Sequence, residues 1–241
     1  MFILAFIAVL LASLVAGLTG FGFAIVAVPI LMILMPPKVV VPVVQLLSAV
    51  LQIAILVEAR KGLDLKRVWP LLLAGIAGVP LGTYLLLILD TQSLRILVGV
   101  VVVVSALAML AGWRWSVRNE RVASVPVGLA GGALGASTGI PGPPVILFFT
   151  NQQMAKQGFR ANLVLYFTCV GLVAVLSLQV GGLITNEVLV RWAGLLPAVA
   201  LGMLAGVWLA RRVDQARFQQ ITLGVLILTG IAAIASGLNL F

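Results

Sequence analysis

The chain has 241 residues, of which 63% are hydrophobic and 9% charged. Soluble domains are roughly 45–50% apolar and about 25% charged, so a water-soluble globule, a disordered chain and a fibrous repeat are excluded, and lipid is the solvent for much of this chain. With no histidine and one cysteine, Cys169, a His-based triad, an HExxH zinc site, a bis-His haem and an intrachain disulfide are excluded as well. The net charge of +9 sits in short gaps between apolar runs. There is no long basic arm and no RNA-binding signature, so the charge reads as membrane orientation and not as a nucleic-acid footprint.

In chain order, apolar segments are expected at about 2–16, 22–35, 39–59, 68–89 and 93–112. A polar gap bearing Arg114, Arg118 and Arg121 follows. Five more segments are expected at about 123–137, 141–151, 160–183, 188–210 and 217–237. The first run has no basic n-region and flows directly into further apolar sequence, so it reads as mature structure and not as a removed signal peptide.

The two sets of five match. Gly78, Gly82 and Asp90 in the first correspond to Gly202, Gly206 and Asp214 in the second, each pair differing by 124. Thr19-Gly20 and Thr138-Gly139 differ by 119. An ordered match of break, long segment, GxxxG segment and Asp boundary indicates an internal duplication. The expected organisation is a first transmembrane repeat at 1–112, a cytoplasmic linker at 113–122 and a second repeat at 123–241.

Each repeat opens with two short segments around a glycine- or proline-rich break: Gly17-Leu18-Thr19-Gly20-Phe21-Gly22 in the first, Gly135 to Pro144 in the second. Proline lacks an N–H and disfavours helix in the residue before it, and glycine admits unusual φ. Segments of ~14 residues cover about 21 Å, less than the ~30 Å hydrocarbon core. They are expected to be half-helices paired as hairpins, either re-entering their side of origin or crossing twice. The fold class is thus an all-α polytopic membrane protein. It has two inverted-topology repeats, each with a broken short-helix hairpin and three long transmembrane helices.

Orientation follows from charge. Arg60, Lys61, Lys66, Arg67, Arg114, Arg118, Arg121, Lys156, Arg160, Arg211, Arg212 and Arg217 fall at one set of boundaries, and Lys38, Arg95 and Arg191 at the other. The richer side is expected to be cytoplasmic, with both termini outside. Three long spans per repeat make the second repeat start on the opposite face.

Inverted repeats with interrupted helices mark secondary transporters whose site lies where the broken segments meet. A helix start leaves N–H groups unpaired and carries a partial positive charge. Two starts, after Gly20-Phe21-Gly22 and after Gly139-Ile140-Pro141-Gly142, are placed to face one anion, with Thr19, Ser137 and Thr138 adding hydroxyls. Close helix packing is the alternative role for these glycines and prolines. Gln45, Ser48 and Gln52 share one helix face, and Asn162 and Tyr166 form an i,i+4 pair. Gln45 and Asn162 are the preferred ligands among these, with interhelical hydrogen bonding as the other reading. Lys38 and Arg160 stand just after each hairpin, as anion-steering groups at the two mouths or as snorkelling anchors. No carboxylate falls at an expected midplane, so neither a proton relay of the usual kind nor a metal site is expected.

The break Gly17-Leu18-Thr19-Gly20-Phe21-Gly22 with Pro29, the second break at Gly135 to Pro144, the two GxxxG-to-Asp boundaries and Arg160-Ala161-Asn162 resemble the TauE/SafE family of sulfite and organosulfonate exporters over the whole chain. The resemblance implies a multi-pass protein of a bacterial-type inner membrane that moves a small sulfur-containing anion such as sulfite or an organosulfonate. No enzyme activity and no cofactor are expected. A passive anion channel and a noncatalytic membrane assembly subunit are the alternative functions, and the oligomeric state is left open.

Overall fold

The computed structural model describes residues 2–19, 21–111, 119–152, 156–209, 227–228 and 230–238. All regular structure among them is helical: α1 (Phe2–Thr19), α2 (Phe23–Leu34), α3 (Pro37–Ala59), a 3-10 turn (Arg60–Gly62), α4 (Leu65–Ile88), α5 (Thr91–Leu110), α6 (Glu120–Thr138), α7 (Gly142–Asn151), α8 (Lys156–Val180) and α9 (Asn186–Leu209). A further helical segment spans 230–237. Five helices, α3, α4, α5, α8 and α9, are long and apolar enough to cross a bilayer. Exposed large apolar side chains such as Leu73, Leu81, Val104, Leu176 and Leu204 give the bundle a lipid-facing surface, as a membrane solvent requires.

Local chemistry fixes where the helices begin. Asp64 caps α4 by accepting from the Arg67 amide at 3.3 Å, and Asp90 stands before α5, accepting from the amides of Gln92 and Ser93. Asn119 caps α6, accepting from the amides of Arg121 and Val122. Each cap satisfies amides that the helix itself leaves orphaned. The Asn119 cap starts α6 within the expected linker, and the first helix of each hairpin is longer than the ~14 residues expected, though neither is among the helices long and apolar enough to cross. α1 has 18 residues and α6 has 19, about 27–28 Å each. Only α2, with 12, and α7, with 10, are short. Both breaks lie where expected and turn on left-handed glycines, Gly22 at φ 97° and Gly139 at φ 79°.

Helices from the two halves of the chain pair crosswise. A Cβ on Gly78 or Gly82 of α4 would collide with the carbonyl oxygens of Leu129 or Ala133 on α6, and a Cβ on Gly202 or Gly206 of α9 with those of Leu10 or Leu14 on α1. The glycines differ by 124 (202−78, 206−82) and the carbonyls by 119 (129−10, 133−14). These are the two offsets visible in the sequence, and the contacts interchange under them. α3 packs on α8, and Gly99 of α5 lies against Gly230 of the C-terminal segment. Without a hydrophobic drive between helices in lipid, such backbone-to-backbone approach supplies the dispersion contact that holds a bundle together.

Polar contacts sort the loops into two ends. Asp64 donates its amide to Asn162 Oδ1 at 2.9 Å, and Arg67 pairs with Glu120 at 2.6 Å, which gathers the ends of α3 and the starts of α4, α6 and α8. At the other end Lys38 Nζ donates to the Leu87 carbonyl at 2.9 Å, and Arg191 Nη1 reaches Met35 Sδ at 3.1 Å. Lys66, Arg67 and Arg121 thus share one end, and Lys38 and Arg191 lie at the other. Arg114, Arg118, Arg211, Arg212 and Arg217 lie outside the described residues.

Candidate functional site

The starts of α2 and α7 converge on one cavity of about 40 Å³. Gly22 to Ile25 line it from α2, Gly139 to Gly142 and Ile146 from the second break and α7, Gln45, Ser48, Ala49 and Gln52 from α3, and Phe167 and Gly171 from α8. None of these lining residues is charged.

The two helix starts are chemically unequal. At α2 the first helical bond is from the Val26 amide to the Gly22 carbonyl, at 3.2 Å, and no side chain caps the start. The amides of Phe23, Ala24 and Ile25 therefore have no acceptor within the helix. At α7, Pro141, Pro143 and Pro144 carry no N–H, the Gly139 amide is bonded to Gly135 at 2.9 Å, and the Ile140 amide donates to Thr138 Oγ1 at 3.2 Å. The Gly142 amide is the donor left at the edge of that start. Both helix dipoles still point their positive ends at the cavity, but hydrogen-bond donation comes chiefly from α2.

The α3 face supplies the polar side chains. Gln45 is 3% exposed, and its Nε2 donates to the Gly135 carbonyl at 2.6 Å, tying α3 to α6. Gln52 is 8% exposed, with Oε1 buried and without a hydrogen-bond partner. Ser48 stands between them on the same face. A buried amide oxygen without a partner costs free energy unless something arrives to satisfy it, so this wall has an acceptor open to a donor.

The structure thus brings together Gly22, Gln45, Gly139, Ile140 and Gly142 of the expected site. Gly20 lies outside the described residues, as does the Thr19 side chain. Phe21 packs edge-on against Phe159 at 6.4 Å and does not line the cavity. The Ser137 and Thr138 hydroxyls are spent within α6, donating to the carbonyls of Ala133 and Leu134 at 2.7 and 2.6 Å. They hold the end of α6 and the break, and do not face the cavity. Asn162 stands away from it, bonded to the Asp64 amide. Lys38 closes the end of α4 through Leu87, and Arg160 sits in the early turns of α8, outside the lining.

Ser48 and Gln52 were visible in the sequence as one face with Gln45, yet nothing there separated cavity lining from helix contact. Phe167 and Gly171 had no signal beyond apolarity. Tyr166, fully buried, donates to the Gly128 carbonyl at 2.9 Å and fills the space over Gly75 and Gly131, so it is packing that joins α8 to α4 and α6. A wider cavity of about 380 Å³ lies at the basic end, lined by Asp64, Lys66, Arg67, Glu120, Arg121, Phe148 and Gln152. No cluster of metal-ligating side chains occurs among the described residues.

No curated protein and no solved structure matches the chain. The model of the family described as sulfite exporter TauE/SafE matches residues 5–233, nearly the whole helical bundle. With that span matched, and both breaks and both glycine-packed helix pairs inside it, the chain belongs to the TauE/SafE sulfite exporter family.

Proposed function

We propose that this protein is a secondary transporter that exports a small sulfur-containing anion, such as sulfite or an organosulfonate, with the anion held between the starts of α2 and α7. The observation that carries the reading is the convergence of two broken-helix starts and the α3 amide wall on one uncharged cavity. Neutral donors and helix dipoles stabilise an anion there without a buried Lys or Arg, whose cost at a bilayer centre is roughly 2.5–3.5 kcal/mol on insertion scales. Such a site binds without trapping, which a carrier needs.

Export fits the energetics. With the interior negative, an anion gains roughly 2.3 kcal/mol per charge per 100 mV on leaving. The repeats, 1–112 and 123–241, would lie in opposite orientation, joined by a cytoplasmic linker at 113–122, with both termini outside a bacterial-type inner membrane. The division of basic residues between the two ends supports that orientation.

Alternating access is proposed to move the exchanged pairs. α1 and α9 are locked backbone to backbone, as are α4 and α6, so each hairpin would travel with the GxxxG helix of the other repeat. Counterflow in proteoliposomes tests the function. Internal unlabelled sulfite should accelerate uptake of labelled sulfite; a flux indifferent to internal sulfite would indicate a passive channel, and no flux would contradict transport.

A further inference from the structure

We infer that Gln45 reads a proton on the bound anion, so that the cavity takes the protonated monoanion of a small oxyacid, of the bisulfite type, in preference to a permanently ionised sulfonate. The inference rests on the reading that the cavity is the anion site and adds a specificity-determining residue to it.

The orientation of the Gln45 amide is set by its partner. The Gly135 carbonyl accepts only, so the group 2.6 Å from it is the amide nitrogen. The amide oxygen then faces away from α6. It lies toward Gly171 on the α8 wall, 4.0 Å from where a Cβ would stand. Seven residues on along the same helix, the Gln52 amide oxygen is buried and has no partner. The donors of the α2 start and the acceptors of the α3 face thus line one small space.

An oxyanion with no proton has only acceptors. Its oxygens suit the α2 amides, but on the α3 side they meet amide oxygens, which stay unpaired and repel. An oxyanion with one O–H donates it to Gln45 Oε1 and accepts from the α2 amides with its other oxygens. Leaving a buried acceptor unpaired weakens binding roughly 10- to 100-fold. The proton stays on the anion throughout, so no protein group is protonated or deprotonated, and each translocated ion takes one negative charge and one proton with it.

Among the described side chains, the titratable groups on α3 and on the elements packed against it are Lys38 on α3 itself, Tyr166, Cys169 and Arg160 on α8, Arg95 on α5, Arg60 on the 3-10 turn, Glu120 and Arg121 at the start of α6, and Glu187 and Arg191 on α9. None is among the lining residues, so the pH dependence expected of binding is that of the anion.

Calorimetric titration of the purified full chain tests this with two probes of equal charge at mildly acid pH: sulfite, then largely bisulfite, and methanesulfonate, which has no acidic proton. The expected result is at least a tenfold preference for bisulfite. Raising the pH past the point where bisulfite ionises should lower the apparent sulfite affinity by about tenfold per pH unit. Gln45→Leu should lose the preference. If that variant does not fold, the comparison in the unmodified protein decides alone. Equal affinity for the two anions overturns the inference while leaving the anion site intact. Binding of neither overturns the proposed function itself.

Discussion

Gly171 separates the cavity from the packing more cleanly than any polar residue does. It lies in α8, and a Cβ built there meets nothing nearer than Gln45 Oε1 at 4.0 Å. A leucine at this position extends into a cavity of about 40 Å³ and occupies it. The substitution also removes a glycine from a helix interior, which is favourable by roughly 0.5–1 kcal/mol. Gly171→Leu should therefore leave folding unchanged or slightly improved while abolishing transport. Gly132 is the contrasting case. A Cβ there would run into the Gly75 carbonyl, which is backbone and does not yield. Gly132→Ala should force α4 and α6 apart at a cost of about 1–3 kcal/mol or more. The assay pairs thermal unfolding in detergent with sulfite counterflow in proteoliposomes. Wild-type transport by Gly171→Leu would refute the cavity as the site, and unchanged stability of Gly132→Ala would refute the backbone packing of α4 on α6.

Gly139→Ala should destabilise by about 1–2 kcal/mol, because its φ of 79° is left-handed, and Gly139→Asn by less; unfolding curves of both variants check the order. Tyr166→Phe removes one buried hydrogen bond to Gly128 and should cost about 1 kcal/mol with transport retained, since the ring still fills the space over Gly75 and Gly131. The Asp90 carboxyl is held below the usual carboxylate range by the Ser93 hydrogen bond, aided by backbone amides of the α5 start. A depressed acid stabilises the fold above its unfolded pKa and loses that contribution as pH falls through the folded one. Asp90→Asn should therefore flatten the acid limb of stability below the ordinary carboxylate range, measured as unfolding temperature against pH.

Much of the architecture could be read in the sequence because lipid imposes few patterns. A run of apolar residues long enough to span becomes a helix, since no other open structure satisfies its backbone in hydrocarbon. Glycines at offset 124 marked the duplication, while the helices they pack against, α6 and α1, emerge only in the structure; the left-handed turns fall at Gly22 and Gly139, inside the expected breaks. The lengths of α1 and α6 were less legible. Their ends depend on caps and back-bonds, such as Asn119 with Arg121 and Thr138 with Leu134, which apolarity does not encode. The candidate site was legible in outline only. Helix starts carry their donors wherever they occur, so two breaks sufficed to place the cavity. Which polar side chains face it depends on helix rotation and partner choice. Asn162 and Gln45 look alike in sequence, yet one bonds a loop amide and the other bridges α3 to α6 at the cavity wall. The prolines that follow Gly139 signalled a break, but they also strip donors from α7 and leave the α2 start as the principal hydrogen-bond donor.

The claim on which the rest depends is that an anion sits between the starts of α2 and α7. Selenite shares the pyramidal shape and charge of sulfite and scatters anomalously, so a crystal of the protein soaked in selenite locates the ion directly. That placement predicts a selenium peak with its oxygens about 3 Å from the amides of Phe23, Ala24 and Ile25, and beside Gln45 and Gln52. A peak confined to the basic end near Lys66, Arg67 and Arg121, with the cavity empty, would contradict it.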